Sequence, residues 1–281
     1  MPQRTHPRRV VLVVLDGFRP EAANAFTLTA FRRLSHGGAY ACGALAGSPP
    51  FATTAMASVL TGVPPHHDGL TNDHFHLPRL RGGVRTLPRM LDDAGLPVST
   101  FVRELPRLYR PLGRVVASRL GVRHPHFSGT SATEILDAAR GTLQRQREGL
   151  IVLHWADAAV AGRAHGWASR EYDAACHTID ATLDDLAADA LLFDDPSTLL
   201  IGVAATEGES DAARAGHLEG RTPDASIPFF LAGWDVRPCR MGGPVTLLDI
   251  PRTIAWYLGV ASPPMWTGRV LVEAFPHAKA A

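Results

Sequence analysis

Residues 48–73 read SPPFATTAMASVLTGVPPHHDGLTND. Ser48-Pro49-Pro50 is an extended lead-in, because each proline fixes its own φ and biases its predecessor away from the helical region. Either Thr53 or Thr54 can cap a helix, and Ala55, Met56, Ala57, Val59 and Leu60 suit one that is largely buried. Gly62, followed by Pro64 and Pro65, ends it. A helix start of this kind presents unpaired N–H groups and suits an anion. The same letters also spell an ordinary buried helix with a threonine cap, so the stretch takes its meaning from its neighbours.

Upstream, RVVLVVLDG at 9–17 is a continuous apolar run ending in Asp16-Gly17. That pattern predicts a fully buried parallel strand with a carboxylate at its C-terminal end, where ligands of open α/β sheets bind. Residues 27–34 fit a helix and 38–45 a short strand. Downstream, His66, His67, His74 and His76 crowd one loop region. Residues 84–95 fit a helix, 97–102 a strand and 131–148 a long amphipathic helix. GLIVLHW at 149–155 is a second buried strand, with His154 and Asp157 at its exit. Helical spacing follows over 167–192, then strands at 197–204 and 227–232 and a helix at 245–258. Strands alternating with helices predict a three-layer α/β fold, with a central, mostly parallel sheet covered on both faces. We expect one domain over 1–281. Residues 74–130, rich in Pro, Arg and His, read as a small insertion over the cleft.

A chain of 281 residues with 46% hydrophobic and 20% charged residues has enough apolar material for one large core. Its net charge of +1 gives no reason to expect nucleic acid or an acidic membrane surface as partner. No stretch approaches the roughly 20 apolar residues of a membrane span. Cys42, Cys176 and Cys239 are odd in number and widely spaced, which suggests neither a disulfide framework nor a CxxC site. Arg4, Arg8 and Arg9 make the N-terminus basic, but the apolar run at 10–15 is too short for a signal sequence and stops at Asp16. The expected location is cytoplasmic. His74 and His76 flank Phe75 at strand spacing and read as loop packing. Trp155, Trp167, Trp234, Trp256 and Trp266 read as core or cleft wall.

Ser58-Val59-Leu60-Thr61-Gly62, the proline pair, Gly69 and Asn72 together resemble the nucleophile segment of the alkaline phosphatase superfamily, in its type I phosphodiesterase/nucleotide pyrophosphatase branch. The resemblance extends along most of the chain. Residues 11–17 look like the first strand with its metal-binding Asp. His165-Gly166-Trp167 resembles the segment after the Asp-x-x-x-His metal pair. Residues 200–208 lie where relatives carry a strand and Asp-His-Gly. Asp249, Pro251, Thr253 and Thr267-Gly268-Arg269 match the C-terminal pattern.

That resemblance implies two metal ions, usually zinc, that activate a nucleophile and clamp phosphoryl oxygens. Carried over residue by residue, it keeps Asp16 alone. The nucleophile falls on Ala52, the metal pair on Ala159 and Arg163, the later Asp-His on Thr206 and Glu207, and the last His on Glu219. The phosphate-binding Asn falls on Asp73, beside Asn72. A methyl group binds no metal, and a guanidinium only donates. Slips of register offer Thr53 or Thr54 as hydroxyl and His165 as imidazole.

The expected protein therefore has no dimetal cofactor, although Asp16, Glu207 and Glu219 leave room for one hard cation. We expect a metal-independent acid/base enzyme acting on a small organic molecule by cyclisation, elimination or isomerisation. Asp16, Glu207, Glu219, Arg163 and His154 are its expected catalytic residues, and Thr53, Thr54, Asn72, Asp73 and His165 its substrate-binding ones. Crowded carboxylates separate their pKa values into an acid and a base. Arg163 is expected to pair with Glu207 in the former metal volume, as a buried ion pair. The alternatives are a catalytically inactive binding scaffold and a metal-dependent phosphodiesterase with shifted ligands.

Overall fold

The apolar run at the N-terminus forms β1 (Arg9–Leu15), in which every residue is buried. It lies between β5 (Gly149–Trp155) and β6 (Thr198–Ala204) and is parallel to both. The computed structural model describes residues 7–24, 27–45, 52–64, 83–205 and 226–276. Burial on both faces explains why, after Arg9 and Thr198 at their starts, β1 and β6 run on as apolar residues with no polar alternation. Beyond β5 come β3 (Val98–Val102) and then β4 (His124–Phe127), both parallel. Beyond β6 come β7 (Ser226–Gly233), β2 (Ala39–Leu45), β8 (Cys239–Arg240) and β9 (Val245–Thr246). Only β7 runs antiparallel to its neighbours. The fold is the mostly parallel, helix-covered α/β sheet that the alternating pattern predicts.

Two sets of helices cover it. On one side α2 (Thr29–Gly37), α6 (Ala132–Arg145), α7 (Asp157–His165) and α8 (Arg170–Asp189) pack on one another. On the other α3 (Ala52–Thr61), α4 (Leu87–Asp93) and α9 (Asp249–Tyr257) do the same. α1 (Pro20–Ala23) lies against β7, and α5 (Arg110–Arg119) lies along β4. Ser131 and Ser169 cap α6 and α8, accepting from the N–H of Glu134 and Tyr172. Gly62 stops α3 at φ +67, and a side chain there would run into the Trp266 ring 2.4 Å away. The C-terminal motif is a structural lock. The Asp249 carboxylate accepts from the N–H of Thr246 (2.8 Å) and Arg269 (2.7 Å).

Arg9 is fully buried, on the α6/α8 side of β1. Its guanidinium donates to the carbonyls of Leu143 and Gln146 at the end of α6, to Ala190 O beyond α8 (2.6 Å) and to Thr198 Oγ1 (2.9 Å). Burial holds it below its ordinary value, yet an arginine stays protonated at neutral pH. A residue that reads as part of a basic N-terminus is thus a shared cap for two helix C-termini.

Several expectations need correction. Residues 83–130, expected as part of an insertion over the cleft, supply β3 and β4, one edge of the main sheet. The helix expected over 245–258 begins only at Asp249, because Val245–Thr246 pairs with β2. The helix expected over 167–192 begins at Arg170, and α7 precedes it as a separate element. Trp155 and Trp266 are core, whereas Trp234 is exposed. Among the described residues, no helix is long and apolar enough to cross a membrane.

Candidate functional site

β3, β5 and β1 are neighbours in parallel register, so Arg103, His154 and Asp16 come to the same edge of the sheet. Asp16 continues β1 by one step. Its N–H donates to Trp155 O (2.8 Å), and its C=O accepts from Ala159 N–H (3.0 Å) at the start of α7. Gly17 then turns the chain at φ +72, and a Cβ there would lie 2.6 Å from Ala159 Cα. Only glycine lets this turn sit so close to the helix. Tyr172 holds the turn, donating its hydroxyl to Gly17 O (3.0 Å) and accepting from Arg19 N–H (3.1 Å). Burial raises the phenol's pKa and keeps it a neutral donor.

Ala159 and Arg163 are one helical turn apart, hence on one face of α7. Ala159 packs on the Asp16 turn, and Arg163 Nη2 reaches Asp16 Oδ2 at 3.8 Å. This is an ion pair, too long for a hydrogen bond. The Asp16 side chain is 5% exposed and the Arg163 side chain 43%. Both residues make further interactions as well. With the Arg163 side chain 43% exposed, this Arg163–Asp16 pair is open to solvent and contributes about 1 kcal/mol or less.

His154 stands between these elements. By strand alternation it shares a face of the sheet with Val152, and its register partner Val14 shares one with Asp16. Burial holds its imidazole below the ordinary value, while the Asp16 and Asp157 carboxylates pull partly the other way. The ring is thus mainly neutral at pH 7 and can accept a proton. Asp157 caps α6 from outside, with both carboxylate oxygens 3.0 Å from Ala132 N. Burial raises its pKa, partly offset by the Ala132 hydrogen bond and the Arg103 charge.

The His154 shift has a consequence for stability. The unfolded chain takes up a proton near pH 6.5, and the folded one only at lower pH. Between those values the unfolded state binds more protons, so stability falls as pH falls. His154→Gln is expected to flatten this part of the pH–stability curve, measured by urea melts from pH 7.5 to 5. An unchanged slope would show that His154 does not titrate between the two states.

The expected site residues divide unevenly. Asp16, His154 and Arg163 come together. His165 is exposed in the last turn of α7. Ala52, the position of the nucleophile, is the first residue of α3, and Thr53 and Thr54 follow it. The side chains of Thr53 and Thr54 lie outside the described residues, as do Asn72, Asp73, Thr206, Glu207 and Glu219, and with them the Arg163–Glu207 pair. Arg103 and Asp157 are at the site as well. Asp157 is legible as a carboxylate just past a buried strand, whereas Arg103 carries no local signal.

Among the described residues, no group of three or more His, Cys, Asp or Glu side chains could hold a metal ion. Asp16 offers one carboxylate, but the helix face across from it presents a methyl group and a guanidinium, which bring no electron pair to a cation.

Residues 10–86 match the family model described as type I phosphodiesterase / nucleotide pyrophosphatase. No curated protein matches the chain. The fold is shared with the 2-O GAG sulfatase BT1596 at TM-score 0.72 and 12% identity, covering 98% of this chain and 75% of that one. A protein in the alkaline phosphatase superfamily from Vibrio parahaemolyticus is similar at TM-score 0.68 and 14% identity, with 95% and 70% covered. The lipoteichoic acid synthase LtaP from Listeria monocytogenes is similar at 0.63 and 13%, with 94% and 74% covered.

Proposed function

From a chain with the fold of the alkaline phosphatase superfamily, we infer an acid/base enzyme that works on a small organic molecule without the two-metal chemistry. The observation that carries this reading is the pairing of Arg163 with Asp16, with Ala159 packed on the same turn. A guanidinium beside the carboxylate repels a cation. His154, neutral at pH 7 and partly exposed, is then the general base. Asp16 orients it and stabilises the imidazolium formed on proton transfer. Arg163 reaches solvent from the same site and is placed to hold an oxyanion developing on the substrate. Such a set suits proton abstraction next to a carbonyl, followed by isomerisation, elimination or ring closure.

The test has two arms. Metal content and hydrolysis of bis(p-nitrophenyl) phosphate are measured with and without a chelator. We expect no chelator-sensitive hydrolysis; two zinc ions per chain with activity that vanishes on chelation would establish the phosphodiesterase reading instead. In the second arm the protein is incubated with a small-molecule cell extract in D2O, and deuterium uptake is followed by mass spectrometry. One compound should gain deuterium, and His154→Gln should slow its uptake about 100-fold or more. No uptake by any compound would favour the inactive scaffold.

A further inference from the structure

The site described so far is polar, but the sheet face that leads to it is not. Beneath α5 lies a cavity of about 270 Å³ whose lining is almost wholly apolar. Met56 and Leu60 of α3 form one wall, Val116 and Ala117 of α5 another, and Thr100 and Val152 of the sheet its floor. Val152 is two residues before His154 on the same strand face, a step of about 7 Å. The cavity thus extends from the floor of the candidate site towards the β4 edge.

Two features set this region apart. First, α5 covers the cavity without being built into the core, since none of its residues is buried. Leu108 and Tyr109, just before it, and Val115 within it are exposed large hydrophobic residues. Second, the surrounding chain is strongly basic. Over residues 83–130 arginines outnumber Asp and Glu eight to three, while the whole chain carries only +1. Arg103 directly follows Val102, a lining residue, and its charge acts on Asp157. Because β5 lies between β3 and β1, the strand ends that lead to Arg103 and Asp16 flank the end that carries His154.

We propose that the cavity beneath α5 holds the apolar arm, aryl or short alkyl, of a small organic anion whose reacting end lies at His154 and Asp16. An apolar cavity of about 150 Å³ takes up a benzene ring, so the space here suits two fused rings or a chain of similar bulk. The arginine-rich surroundings select a negative charge on the same molecule. The proposal names a substrate class for the acid/base reading above and rests on that reading for the reacting end only.

The experiment is a fluorescence titration of the full chain with three probes that share a ring system: naphthalene-2-sulfonate, 2-naphthol and 2-naphthylmethylammonium. The sulfonate should bind one per chain, at least 10-fold more tightly than the ammonium. Ala117→Phe, which fills the cavity from a helix outside the core, should weaken the sulfonate at least 10-fold with no change in unfolding midpoint. Val116→Trp is the second filling variant if the first folds poorly. Equal affinity for sulfonate and ammonium, or full affinity in both filling variants, would overturn the proposal. Probe binding lost on filling, in a protein that exchanges no deuterium, would remove the acid/base reading and leave the cavity assignment standing. Deuterium exchange without probe binding would do the reverse.

Discussion

Replacing Arg9 with methionine is expected to lower the unfolding free energy by about 3–5 kcal/mol. The methionine fills much of the same space, so little of this loss arises from a cavity. It comes from the carbonyls that the guanidinium serves. Those of Leu143 and Gln146 end α6, and that of Ala190 follows α8, so they lack the usual intrahelical partners. Each one left buried without a donor costs roughly 1–3 kcal/mol. Arg9→Lys should recover only part of the loss, because one ammonium cannot match the planar fork that reaches two helix ends. Urea unfolding of the three proteins measures this. Near-wild-type stability in Arg9→Met would mean that the two helix ends find other donors.

The second large effect is expected at Gly17. Gly17→Ala should cost about 2–4 kcal/mol, from a left-handed backbone and a collision combined. The new methyl would lie 2.6 Å from Ala159 Cα and 2.7 Å from Ala159 N, both backbone atoms that cannot swing away. Either the turn or α7 must move. Since Ala159 N donates to Asp16 O (3.0 Å) and Arg163 reaches Asp16 from the next turn, the ion pair should open with it. A chemical denaturation curve reads the first effect, and the deuterium-uptake rate in the folded variant reads the second. Full stability together with a full exchange rate would show that the close approach is not needed.

These two positions mark what could be read before any coordinates. The three-layer arrangement was legible because period and composition are local properties. A short, β-branched run such as VVLVVL, stopped by Asp-Gly, reads as a strand buried on both faces, and the segments 131–148 and 149–155 carry their own helix and strand signals. The approach of Asp16 and His154 was legible for the same reason, since both end buried strands and such ends share one edge of a parallel sheet. Glycine at 17 was likewise visible, but its reason, the backbone of α7 against it, was not.

What the tertiary structure alone decided concerns partners distant along the chain. Arg9 has the same composition signal whether it belongs to a basic tail or caps two helices more than a hundred residues away. Arg163 reads as a buried substitute for a metal ligand, yet its exposure depends on how α7 tilts over Asp16, which no local pattern records. The apolar cavity under α5 likewise has no sequence signature, because its walls come from two helices and three strands that meet only when the sheet forms. Periodicity reports which face of an element is apolar. Which other face it meets, and how much space is left between them, is set by packing across the whole chain.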